Sequence, residues 1–414
     1  MTRPLSSTAS SSAALICLAG GLRAAAVSLA GVIIAIHFAE RGLSAAGIGL
    51  ILGVGLASSA IGTIITGLRA DAWGRRPTLV ALGVIGGLGY AAIAVADQLP
   101  ILTVVAAVAM VNGMGRDRGP ASALEQALLP STTSDERRTW TMAWYNATID
   151  TGHAIGALAA VTPTILVRTL DVTVSRAHAL TFLLCGAALV LSTIPYLFLD
   201  ARIEPSSPAT PSGGVAIDGR TRGIVRRLAT LFALDSTGGG FLNSALVSYW
   251  FFEQYGMTEV QIAGLFFAAR VLNVVSHLAA AWLAKRIGLV NTMVFTHLPS
   301  SVFLMLAPAA PTAAIAGALF LAREALVEMD VPTRQSYVMA VVPPAARTYA
   351  SSMTNVTRSA GWAVGSLASG TVMQYLSFSG PLVIGGALKI IYDLALYRSF
   401  RNVRPPEEQS RAVS

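Results

Sequence analysis

The hydrophobic positions of this chain fall into long apolar runs separated by short polar connections. Twelve runs stand near 13–38, 46–68, 78–96, 101–124, 139–165, 178–199, 228–252, 259–283, 289–309, 312–335, 346–375 and 380–398. A helix crossing the ~30 Å hydrocarbon core of a bilayer needs about 20 mostly apolar residues. Strands of a membrane barrel are about half that length and alternate apolar with polar. These runs are continuous and rich in Ala, Leu, Val and Gly, so the pattern predicts an all-α integral membrane protein with twelve transmembrane spans. Spans 4 and 10 carry charges in their second halves and are the weakest of the set. The run at 13–38 follows a polar Met1–Ser12 segment, contains Arg23 and outlasts the 7–15-residue core of a signal peptide. It reads as span 1.

Composition supports a lipid solvent. Only 12% of the 414 residues are charged and 54% are hydrophobic, whereas a soluble domain carries roughly a quarter charged residues. Two cysteines, Cys17 and Cys185, exclude a disulfide scaffold. The net charge of +8 is a matter of placement. With both termini cytoplasmic, the inner loops and tails hold Arg3, Arg69, Arg75, Arg76, Arg137, Arg138, Arg202, Arg220, Arg222, Arg226, Arg227, Lys285, Arg286, Arg334, Arg347, Arg398, Arg401, Arg404 and Arg411. The outer loops hold Arg41, Arg168 and Arg176. That asymmetry is the positive-inside pattern, and the expected location is a bacterial inner membrane. No concentrated basic face suits nucleic acid.

The chain repeats at half its length. Gly42-Leu43-Ser44 with Ile48 returns as Gly256-Met257-Thr258 with Ile262, and Ala70 and Gly74 return as Ala284 and Gly288, all 214 residues later. Arg138-Thr139, Asn146, Thr148, Gly152, Gly156 and Leu158-Ala159 return 209 residues later as Arg347-Thr348, Asn355, Thr357, Gly361, Gly365 and Leu367-Ala368. Small and polar residues recurring at fixed spacing mark two copies of a six-helix unit. The expected organisation is a half at 1–199, a cytoplasmic linker at 200–227 rich in Pro, Ser, Gly and Arg, and a half at 228–414 with a short tail. Such pseudo-symmetric parallel repeats are an architecture of secondary transporters.

After span 2 stands Gly67-Leu68-Arg69-Ala70-Asp71-Ala72-Trp73-Gly74-Arg75-Arg76-Pro77. It resembles the loop 2–3 signature of the major facilitator superfamily in Gly67, Ala70, Asp71, Gly74, Arg75 and Arg76. Arg69 and Ala72 depart from it, and the second copy, Leu283-Ala284-Lys285-Arg286-Ile287-Gly288, carries Lys where the acid belongs. Gly74 permits a tight turn, and Asp71 can cap or pair near the next helix N-terminus. The resemblance implies a cytoplasmic latch that breaks when the halves rock. A topology and headgroup role for Arg75 and Arg76 is the plainer alternative.

The resemblance also implies that spans 1, 4, 7 and 10 line a central cavity. Intramembrane charge is costly and marks function, and here it gathers on those spans: Arg23; Arg116, Asp117, Arg118 and Glu125; Asp235 and polar Asn243; Arg323, Glu324, Glu328, Asp330 and Arg334. The charges of spans 4 and 10 are open to structural pairing or to the cytoplasmic interface. Arg23 and Asp235 lack opposite charge nearby in sequence, and their separation of 212 residues suggests pairing with each other. Asp235 or an acid of span 4 or 10 is the expected proton carrier. Asp150 on span 5 and Arg270 on span 8 form a candidate inter-domain pair, because those spans meet across the halves in the family. His153, one turn from Asp150, is a relay candidate, though a lone helical His is more often structural.

Lys389 and Asp393 on span 12 read as an i,i+4 pair with snorkelling side chains, since that span is peripheral in the family. Tyr249–Phe252 reads as an interfacial belt. Gly152 and Gly156 suit close helix packing, but Ala157-Leu158-Ala159-Ala160 departs from the family's antiporter signature.

No P-loop, metal spacing or enzyme motif is present, so neither catalysis nor a cofactor is expected. The expected function is secondary active transport by alternating access, as proton-coupled export of a small organic molecule by a monomer in the lipid bilayer. An importer or symporter of a small anionic metabolite is the alternative, on Arg23, Arg116 and Arg118. A non-transporting sensor would carry a long added domain, and Pro405–Ser414 is short.

Overall fold

The computed structural model describes residues 7–133, 138–204, 218–343, 346–401 and 403. Arg3, Arg137, Arg404, Arg411, the 205–217 core of the expected linker and the tail from 404 lie outside the described residues. Regular structure among the described residues is helical: α1 Ser7–Glu40, α2 Ala45–Trp73, α3 Arg75–Val95, α4 Leu99–Ala109, α5 Pro120–Leu128, α6 Arg138–Leu158, α7 Thr162–Leu170, α8 Val174–Leu191 and α9 Ile194–Leu197. There follow α10 Gly219–Phe241, α11 Ser244–Tyr255, α12 Glu259–Ile287, α13 Leu289–Leu306, α14 Ala313–Val327, α15 Asp330–Val341, α16 Arg347–Tyr375 and α17 Gly380–Phe400.

Eight helices among the described residues are by themselves long and apolar enough to cross a membrane. The other four expected spans are interrupted or polar. Span 4 divides into α4 and α5, span 7 into α10 and α11, span 10 into α14 and α15, and span 11 is the polar α16. The continuous helix expected over 101–124 is therefore corrected, and its physical cause is local. Met110 takes a left-handed conformation at the end of α4, and Gly115 sits at φ +61°. Pro120 lacks an N–H and disfavours helix before it, so α5 can only begin there. Side chains satisfy backbone groups that the break frees: Asn112 Nδ2 donates to Arg116 O (2.5 Å) and Asn112 Oδ1 accepts from Met114 N (2.8 Å). Non-helical backbone at membrane depth persists only with such partners.

The chain packs as two compact units. The first holds 1–211 together with 243–267, and the second holds 212–242 together with 268–414. Thus α11 and the first turns of α12 belong to the first unit. Helix α10 starts inside the expected linker, capped by Asp218, whose Oδ2 accepts from Thr221 N (3.3 Å).

Each unit is built on one helix pair that touches through glycines. A Cβ on Gly152 or Gly156 of α6 would lie 2.4 Å from Gly21 O or 2.1 Å from Ala25 O of α1. In the second unit, a Cβ on Gly361 or Gly365 of α16 would lie 2.6 Å from Ala233 O or 2.1 Å from Thr237 O of α10. The repeat read in the sequence is thus a repeat of packing, and it places Arg23 and Asp235 at matched positions between those contacts. The two cores match as well, with Ile16, Leu79, Leu128, Tyr145 and Tyr196 in one and Phe232, Met293, Tyr337, Tyr392 and Leu396 in the other. Large apolar side chains such as Leu88 and Val104 point outward, 64% and 63% exposed, as a lipid-facing surface requires.

Candidate functional site

The break in span 4 positions the charged site of the first unit. Arg116, Asp117 and Arg118, expected on a helix, instead lie on the irregular segment between α4 and α5. Arg23 of α1 donates from Nε to Asp117 Oδ2 (2.7 Å) and engages both oxygens of Glu125 on α5, one of them from Nη1 at 3.1 Å. Tyr196 Oη is 2.6 Å from Arg23 Nη1 and donates to Glu125 Oε1 (2.5 Å), while Tyr145 donates to Glu125 Oε2 (2.8 Å). The Glu125 side chain is fully enclosed. One guanidinium therefore serves two carboxyl groups in a charge-assisted fork. His153 Nε2 accepts from Asp117 N (2.8 Å), so this nitrogen is committed to holding the loop. Asp150 lies 3.9 Å from His153 Nδ1.

In the second unit the matched position carries the opposite charge. Asp235 of α10 accepts from Lys389 Nζ of α17 (2.7 Å) and Arg334 Nη1 of α15 (3.3 Å). Arg334 also pairs with Asp330, and its guanidinium lies 5.4 Å from the Phe232 ring centroid. Beyond Lys389 stands His297 Nε2 of α13 (3.4 Å), whose Nδ1 lies 3.0 Å from each oxygen of Asp393. The result is a buried chain in the order Asp330, Arg334, Asp235, Lys389, His297, Asp393.

Two expectations are corrected here. Arg23 and Asp235 each find partners within their own unit. Lys389 and Asp393 are no snorkelling pair: they are 6% and 0% exposed and face inward to α10 and α13. Lys389, Asp393 and His297 were missed as site residues because their partners come from helices distant in sequence. The inward-facing charges of span 12 were readable in one respect, since two charges inside an apolar run need a partner that a lipid face cannot supply.

The remaining expected residues sort as follows. Asn243 is the buried N-cap of α11, accepting from Leu246 N (2.8 Å). Glu324 pairs with its neighbour Arg323, and Glu328 lies 3.3 Å from His277 Nε2 of α12. Arg270 is buried on α12 in the second unit. In the loop motif, Arg75 Nε donates to Asp71 Oδ1 (2.7 Å), and Gly74 turns at φ +90°. Glu204, expected in a flexible linker, instead accepts from the backbone N–H groups of Arg75 (2.7 Å) and Arg76 (2.8 Å), capping α3. Arg76 reaches Leu199 O. A Cβ on Gly67 would meet nothing within 4 Å, so no packing contact demands a glycine there.

Two further features lay outside the sequence reading. His178 of α8 faces Glu40 of α1 through Nδ1 (2.8 Å) and Glu259 of α12 through Nε2. Both ring nitrogens thus lie within ion-pair distance of a carboxylate, and Nε2 is hydrogen-bonded to its partner. Glu259 also accepts from Thr164 of α7 (3.1 Å), while Ser248 and Ser244 of α11 donate to Val32 O (2.5 Å) and Met114 O (2.8 Å). Separately, an open groove of about 520 Å³ lies between the starts of α10 and α16, lined by Arg222, Arg226, Thr230, Tyr349 and Met353.

Comparison with known proteins agrees with this architecture. The family model of the Major Facilitator Superfamily matches residues 16–327 and 228–414. An uncharacterized membrane protein of Saccharomyces cerevisiae is 25% identical over 390 residues, covering 86% of each chain. A bacterial homologue of the human lysosomal transporter Spinster, inward-facing and occupied, aligns with TM-score 0.77 at 13% identity, over 97% of this chain and 98% of its own. The nucleoside transporter NupG aligns with TM-score 0.76 at 12% identity, over 94% and 100%. A D-xylose-proton symporter aligns with TM-score 0.71 at 16% identity, over 95% and 98%.

Proposed function

The chain belongs to the Major Facilitator Superfamily, and we propose that it is a secondary active transporter that exports a small organic molecule in exchange for protons. The observation that carries this reading is the pair of buried charge clusters at matched positions of the two repeats, Arg23 with Asp117 and Glu125, and Asp235 with Arg334 and Lys389. Charge this deep is costly and is kept where ions or polar cargo pass. Each cluster spends hydrogen bonds that a proton can redirect, so protonation favours one state's pairing over the other's. The halves 1–199 and 228–414 rock about a central cargo site, with both termini cytoplasmic and the monomer as the working unit in a bacterial inner membrane.

In this scheme the Asp71–Arg75 pair and the Glu204 cap hold the cytoplasmic ends, and the His178 bridge holds the outer ends. Asp150 and Arg270 form an inter-domain pair that opens during the cycle. Asp150→Asn and Arg270→Gln, singly and together, are expected to slow transport, with the double variant no worse than the worse single. Unchanged transport in all three would remove the pair from the mechanism. Arg222 and Arg226 in the open groove favour a second reading, uptake of an anionic metabolite. Everted membrane vesicles with an acidic lumen separate the two: an exporter accumulates cargo in the lumen, found first by a ligand screen on thermal stability, and an importer does not.

A further inference from the structure

We propose that Asp393 and His297 form a proton-binding site in the layer of α13 and α17, wired through Lys389 to Asp235. It rests on the proton-coupled reading above and names where the proton resides. The hydrogen-bond inventory of the chain carries the argument. Asp235 receives two cationic donors, Lys389 Nζ at 2.7 Å and Arg334 Nη1 at 3.3 Å. Asp393 is fully buried and, among the described residues, receives a single donor, His297 Nδ1, shared between its two oxygens at 3.0 Å each. An ionised carboxylate offers about four acceptor sites, and burying it with one neutral donor is unfavourable.

The state of His297 follows from its other nitrogen. Nε2 faces the Lys389 ammonium at 3.4 Å and lies 3.9 Å from Asp235 Oδ1, beyond hydrogen-bond reach. An ammonium has only protons to offer, so Nε2 is the acceptor and carries none. His297 is then a neutral ring donating from Nδ1, and among the described residues no lysine or arginine forms an ion pair with Asp393.

The surroundings bear on the same charge. Asp330 and Arg334 face Asp235 from α15, the Tyr392 ring of α17 stands edge-on to His297 with centroids 5.9 Å apart, and Arg323 of α14, paired with Glu324, lies within electrostatic reach of His297. Arg358 of α16 reaches Ser236 Oγ (3.3 Å) and stacks on Trp362. The nearby cations are already engaged, Arg334 with Asp235 and Asp330 and Lys389 with Asp235. One proton added to an Asp393 oxygen neutralises it while Nδ1–H still donates to the other oxygen. The pull of the ring on Lys389 weakens, and the ammonium is left to Asp235. Proton binding at α17 is thereby felt at α10, although the family resemblance treats that span, the twelfth, as peripheral.

The test is infrared absorption of protonated carboxyl groups in the full-length protein in liposomes across a pH series. One buried carboxyl band, slow to shift in heavy water, is expected to titrate as a single proton. It should vanish in Asp393→Asn, persist in Asp330→Asn, and move its midpoint by about one pH unit or more in His297→Gln. A wild-type protein without such a band, or a band unchanged in Asp393→Asn, overturns the proposal. If Asp393→Asn fails to fold, as judged by gel filtration, the aspartate-labelled wild type compared with His297→Gln carries the test, and an unmoved midpoint overturns it. Proton movement with cargo is measured separately in the wild type. Its absence defeats the coupled reading and leaves the infrared result to stand or fall alone.

Discussion

Removing Arg23 should cost more than neutralising Glu125, one of the two carboxylates it serves. Its guanidinium lies between Asp117 (2.7 Å) and Glu125, with side chains 6%, 6% and 0% exposed. A contact at 2.7 Å with an effective dielectric constant of about 20 is a gross attraction of about 6 kcal/mol, most of which offsets desolvation. Arg23→Met leaves two buried carboxylates facing one another with no cation, and breaking a buried pair in this way costs about 3–5 kcal/mol. Glu125→Gln keeps the shape and leaves Arg23 neutralised by Asp117, so its cost is that of one charged hydrogen bond, about 1.5–3 kcal/mol. The double variant retains only Asp117 as an uncompensated charge and should be less destabilised than the sum, by about 0.5–3 kcal/mol of coupling. Reversible unfolding by sodium dodecyl sulfate in mixed micelles measures all three. Additive effects, or an Arg23→Met cost no larger than that of Glu125→Gln, would refute the reasoning.

Two other perturbations follow from the geometry. Gly156→Ala and Gly365→Ala push a methyl to 2.1 Å from a facing carbonyl and should each destabilise by about 1–3 kcal/mol. Gly264→Ala, with nothing within 4 Å, should be near neutral in the same unfolding assay; equal effects at all three sites would dismiss the packing account. Glu259→Gln takes one carboxylate from His178 and should loosen the first turn of α12 from α8. Spin labels at Arg176→Cys and Val260→Cys, with Cys17→Ser and Cys185→Ser, should show a broadened distance distribution, and an unchanged one would make the bridge ornamental.

Much of this architecture was legible in the chain because it rests on local pattern. Apolar runs set the helices, and the 209-residue recurrence of Gly152 and Gly156 as Gly361 and Gly365 anticipated the paired packing of α1 on α6 and α10 on α16. The loop motif at Asp71 and Arg75 also appeared as an ion pair. What stayed hidden depends on helices brought together from afar. Nothing near Arg23 in sequence points to Glu125 and Tyr196, and nothing near Asp393 points to His297. The break in span 4 lies between these cases. Gly119-Pro120 and the glycines at 113 and 115 announce it, but apolar content outweighed them. Glu204 was assigned to a linker on composition, although a carboxylate can cap whichever helix start the fold delivers to it.

The central claim is that buried charge couples a proton to cargo, and proton flux measures it most directly. In proteoliposomes loaded with a pH-sensitive dye, cargo addition should move protons across the membrane in the direction opposite to cargo. Asp235→Asn, which cuts the chain between Lys389 and Arg334, should abolish that movement while cargo still binds. Cargo transport without proton movement, or unchanged coupling in Asp235→Asn, would contradict the account.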